Sequence, residues 1–155
     1  MKLKELKEKY DVVAKKYKLP NFEELNADFE IENIRKESDI LLRVVRKVMM
    51  TKVTNFMNFI EMIQNPVNAP RFYFAYIKAM SSEDKRELEK IYGELADIYL
   101  EALGLEIEYD EKGEAEMTSK IYKSWISIKP RFKKIIADIK GAGSATNAKE
   151  KTYFG

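Results

Sequence analysis

The chain is expected to fold as one all-α domain. Three observations predict this: apolar residues recur at intervals of three and four over several long stretches, Pro, Asn and Gly gather between those stretches, and no stretch alternates long enough to build a sheet. At 155 residues the chain is long enough to bury roughly 70% of its unfolded surface in a single core. The expected unit is a helical domain over 1–140 followed by a flexible tail over 141–155, where GAGSATNAKEKTYFG lacks a helical stripe.

Leu3, Leu6, Tyr10, Val13 and Tyr17 share one stripe of a first helix that Pro20 closes. Asn21 with Glu24 three residues later reads as a capping box for a short turn around FEEL. The strongest expectation is a long helix at about 38–64. There Leu41, Val45, Val48, Met49, Val53, Phe56, Phe59, Ile60 and Ile63 form one face, and Arg43, Lys47, Thr54, Asn58 and Glu61 lie opposite. NPVNAP at 65–70 is a tight connector, because each proline biases its predecessor away from helix, and Pro70 suits the first turn of the helix that follows.

That next helix, RFYFAYIKAM, carries four rings in five residues, and its short length predicts burial on most sides with Phe74 left outside. Ser81 and Asp84 open a further helix to Leu103 with the stripe Leu88, Ile91, Tyr92, Leu95, Ile98, Tyr99, Ala102 and Leu103, and Gly104 is expected to end it. LEIEY alternates and DEKG turns, which predicts a short extended excursion near 105–113. From Glu114 the residues Met117, Ile121, Trp125, Ile128, Phe132, Ile135 and Ile139 hold one phase across Pro130, so a kink or brief break is expected there and not a reversal.

Composition narrows the chemistry. There is no cysteine and no histidine, which removes thiol nucleophiles, disulfides, the usual general base and the commonest zinc ligands. The expected location is the cytoplasm, since the N-terminal stretch is lysine-rich without a continuous apolar block and no segment has the apolar length of a membrane span. The abundance of Lys, Glu and Ile beside a single Gln, Gln64, leans toward an archaeal or thermophilic source. Net charge is only +2, yet residues 1–18 sum to +4, 21–39 to −5, 104–117 to −5 and 118–140 to +6.

NADFEIENI, the long helix, NPVNAP and the aromatic helix together resemble a family of small conserved archaeal helical proteins of unknown function. The resemblance implies an all-helical fold and an archaeal host, and carries over no activity and no functional residue.

Four places could carry function. Phe74 between Arg71 and Lys78 would form a partner surface, since exposed rings beside cations anchor interfaces. Lys120, Lys123, Lys129, Arg131, Lys133 and Lys134 on the last helix could neutralise phosphates of RNA or DNA, or offset the acidic segments of the same chain. EDKRE and ELAD are similar to the paired carboxylate motifs by which all-helical nucleotide pyrophosphatases hold magnesium. Glu87, Glu94 and Asp97 share a flank, but carboxylates on one helix diverge unless a second helix faces them. Lys52 falls on the apolar stripe of the long helix, where desolvation would lower its pKa unless it snorkels outward. The reading that results is a non-catalytic interaction or accessory protein with no cofactor, binding an unknown protein partner or itself, with nucleic-acid binding second and a magnesium-dependent hydrolase third.

Overall fold

The structure, a computed structural model, describes the backbone of residues 1–154 and the side chains of 1–142, so of the tail expected over 141–155 little more than the backbone is described, assigned to the last helix as far as Phe154. Six α-helices and two 3₁₀ turns follow one another: α1 (Leu3–Tyr17), α2 (Phe22–Phe29), a turn at Ile31–Asn33, α3 (Leu41–Gln64), a turn at Pro66–Asn68, α4 (Phe72–Ala79), α5 (Ser82–Ile107) and α6 (Glu111–Phe154). No strand occurs among the described residues.

Local chemistry sets the boundaries. Lys18 ends α1 in the left-handed region at φ 54°, where its N–H reaches the Ala14 carbonyl. In the capping box of α2, the Asn21 side chain accepts from the Glu24 N–H at 2.8 Å and the Asn21 N–H donates back to the Glu24 carboxylate at 2.9 Å. Ser81 Oγ likewise accepts from the Asp84 N–H at 3.0 Å and opens α5. The long helix begins at Leu41, three residues later than expected.

Two expectations fail at the α5–α6 corner. Gly104 does not stop α5, and the extended excursion near 105–113 shrinks to a connector of three residues in which Glu108 is extended at φ −142° and ψ 124°. The alternation of LEIEY loses to helix propagation, since each further residue adds a backbone bond once the helix is nucleated. Pro130 leaves α6 continuous, with neither a break nor a reversal.

The centre of the domain is a bundle of α3, α5 and α6. Arg46 near the start of α3 meets Glu106 near the end of α5 and Glu114 at the start of α6, while Glu61 near the end of α3 meets Tyr92. α3 and α5 are therefore antiparallel, and α6 runs back beside α3. Met117, Ile121, Trp125, Ile128, Phe132 and Ile135 of α6 are all buried, as are Leu88, Ile91, Leu95, Ile98 and Ala102 of α5. α1 and α2 cover the side of α3 and α6 where Phe29 meets Trp125, at 6.2 Å between ring centroids. α4 packs against the later part of α6 and the end of α3.

Candidate functional site

The acidic and basic candidates meet each other. Arg131 on α6 donates to both Glu94 oxygens, at 2.9 and 3.1 Å, and to Glu87 about two turns earlier on α5. Burial opposes the Arg131 charge, but those two carboxylates outweigh it and raise its pKa. Two of the three carboxylates expected to hold magnesium are thus occupied by a guanidinium, Asp97 is exposed beside them, and no group of three or more acids among the described residues is arranged to hold a cation. Along the basic helix, Lys129 pairs with Asp28 at 2.7 Å, Lys120 with Glu101, and Lys134 with Asp138 at 3.7 Å. Lys123 and Lys133 have no ion-pair partner among the described residues.

Lys52 is half-buried, and its ammonium donates to the Asp28 carbonyl while sitting 4.9 Å from the Trp125 ring centroid and 5.4 Å from that of Phe29. Desolvation lowers its pKa, with Asp28 and Glu30 acting the other way and Lys129 adding to the lowering. The two rings and the carbonyl favour the cation. The ammonium therefore works as a cap on the end of α2, which accounts for it without a nucleophilic role. Burial likewise opposes the charge of Asp28, but Lys129, the nearby Trp125 N–H and Lys52 outweigh it and hold the carboxyl below its usual range. The indole N–H acts on Asp28 without reaching full hydrogen-bond geometry, so it remains a buried donor with no partner.

Sequence reasoning missed a buried ionic knot. Arg46 and Glu114 are buried, and the guanidinium donates to both Glu114 oxygens at 2.5 and 3.1 Å and to Glu106 at 2.6 Å. Arg43 lies 3.3 Å from Glu114, donates to the Leu105 carbonyl, and faces the Tyr109 ring at 5.4 Å. Only the placement of Arg46 beside Val45 and Met49 on the inner half of α3 could have signalled it.

The aromatic helix is a correction. No residue of α4 is buried: Phe72 is 55% and Phe74 48% exposed, and Tyr73, Tyr76 and Ile77 are only partly covered. Phe74 does lie outside beside exposed Arg71 and Lys78, as expected, but Phe72 joins it. The helix is too short, and too far toward one end of the bundle, to be enclosed.

A second open apolar face lies on α5. Tyr99 and Leu103, expected in the core, are exposed, together with Leu100 at 70% and Ile107 at 88%. Ala96, Leu100, Leu103 and Ile107 follow one another at steps of 4, 3 and 4, the spacing of a coiled-coil seam. The ridge borders an open cleft of about 440 Å³ between Thr54, Met57 and Asn58 of α3 and Tyr92, Ala96 and Tyr99 of α5. Because Leu88, Ile91, Leu95 and Ile98 already fill the inner stripe, the ridge turns away from the core. In sequence the two stripes merge, since Tyr99 and Leu103 sit at the edge of both.

No helix among the described residues is long and apolar enough to cross a membrane. Comparison with protein-family models, with curated proteins and with solved structures finds no match for the chain.

Proposed function

We propose that the protein is a non-catalytic helical interaction protein that docks a helix on the α5 ridge and the α3/α5 cleft, with a second copy of itself as the simplest occupant. The observation that supports this is the ridge Ala96, Leu100, Leu103 and Ile107, a seam with knob spacing whose Leu100, Leu103 and Ile107 are exposed, with none of the described residues covering them. Burying a side chain such as Leu or Ile completely is worth about 1.5–3 kcal/mol, so Leu100 and Ile107 leave a sizeable gain uncollected in a lone copy. Light scattering over a dilution series is expected to show a concentration-dependent dimer. The double variant Leu100→Glu and Ile107→Glu is expected to be monomeric with unchanged helicity, its stability altered by no more than about 0.5 kcal/mol, as at other exposed sites. A wild-type chain that stays monomeric throughout, or a variant that dimerises as well as wild type, would count against the reading.

A second reading is favoured by the open groove of about 540 Å³ between α1 and α6, where Lys112, Lys120 and Lys123 stand with Ser119 and Ser124 around Tyr17. Such a groove suits a nucleic-acid backbone, although Lys120 is paired with Glu101 and Glu116 lies beside Lys112. Binding to mixed RNA that weakens steeply with salt, and more gently in Lys123→Ala, is the expected outcome. Absence of binding at low salt would remove it.

A further inference from the structure

We propose that the pocket beneath α4 is a binding site for a medium-chain aliphatic carboxylate, a ligand site beyond the helix-docking role. Phe56 and Phe59 of α3, Phe132, Ile136 and Ile139 of α6, and Tyr76 of α4 enclose about 240 Å³, and the remaining lining residue is Lys140. The floor is a packed aromatic cluster: Phe56 packs on Phe132 at 4.7 Å and on Trp125 at 5.0 Å, and Phe59 on Phe132 at 6.4 Å between centroids. Interiors are close-packed, so an apolar space of this size, open to the surface, is shaped for an occupant of matching polarity.

Charge selects the head group. Lys140 stands at the pocket without an ion-pair partner among the described residues, Lys133 lies on the same flank of α6 likewise unpaired, and no acid lines the space. The nearest acid in sequence, Asp138, is taken up by Lys134 and Asp84. Taking a methylene as comparable to the ~30 Å³ of a water molecule in the liquid, the volume holds about eight carbons. A tail of that length would lie against the rings with its carboxylate at the Lys140 ammonium.

The probe is octanoate, titrated into the full chain well below its micellar concentration, with the single tryptophan, Trp125, as reporter through its contact with Phe56. Saturable one-to-one binding is expected. Lys140→Ala should weaken octanoate about tenfold, the loss of one charge-assisted contact, while leaving 1-octanol unchanged. Ile136→Trp should abolish both by filling the space. Lys140 is exposed, so its replacement leaves folding intact and decides the matter even if Ile136→Trp fails to fold. No saturable binding, equal octanoate affinity in Lys140→Ala, or wild type binding octanol as tightly as octanoate would each overturn the proposal. A rise in molecular mass on octanoate addition would overturn it as well, by assigning the space to a second copy.

Discussion

Asp84 and Asp138 show how one side chain can set a pH response. Asp84 is buried at the first turn of α5, with one carboxylate oxygen unpartnered, and Asp138 of α6 faces it. Burial raises the Asp84 pKa, the Asp138 hydrogen bond and charge raise it further, and the Ser81 N–H and hydroxyl pull it back. A carboxyl whose folded pKa exceeds the ordinary value of about 3.9 contributes stability below that value and loses it as the pH rises through the folded pKa. At neutral pH, above the range where that stability is present, the paired carboxyls therefore cost stability. Asp138→Asn is expected to raise the melting temperature at pH 7 and leave it nearly unchanged at pH 3. The Lys134 contact it removes is exposed and worth little. An equal or lower melting temperature at pH 7 would contradict this. Asp28 behaves in the opposite sense: its pKa is lowered, so its contribution is present above the unfolded value and fades as the pH falls. The residue scale is also where sequence reading was least informative, because Asp84 read only as an acid opening α5 and Arg46 drew no reading at all. Their meaning comes from partners 54 and 68 positions away.

At the scale of elements, the ionic knot fastens three helix ends. Arg46 ties α3 to the last turns of α5 through Glu106 and to the first turn of α6 through Glu114, and Thr118 Oγ donates to the Glu114 carbonyl at 2.8 Å. Removing one member leaves the other charge buried, so Arg46→Met is expected to cost about 3–5 kcal/mol in denaturant unfolding. The double variant Arg46→Met and Glu114→Leu should recover most of that, since an apolar pair of similar volume replaces the ions without a stranded charge. A double variant as unstable as the single would show that the loss comes from packing. Element existence was legible wherever a stripe ran several turns, as in α1, α3, α5 and α6. The elements misjudged were short or ended on weak signals. LEIEY is brief enough to fit either period, Gly104 keeps ordinary helical φ, and the rings of α4 gave no clue to how much of the helix its neighbours reach.

For the whole molecule, the alternating blocks of charge fold back on themselves. Lys16 meets Glu111, Lys129 meets Asp28, Lys120 meets Glu101, and Arg131 meets Glu87 and Glu94. The same folding takes the candidate metal ligands and part of the candidate nucleic-acid face into shared pairs. Among the described residues, what stays open is apolar surface, the α5 ridge, the outer rings of α4 and the space beneath them, together with the unpaired α6 cations Lys123, Lys133 and Lys140. The sequence by itself determined the all-helical class, the order of the long helices and the absence of thiol and imidazole chemistry, because hydrophobic period, caps and composition are local properties. Only the tertiary structure decided which stripes are covered and which cations are already spent. Both depend on which distant segment packs against a face, and a helix whose apolar arc is wider than its neighbours reads the same in one dimension whether or not that arc is covered.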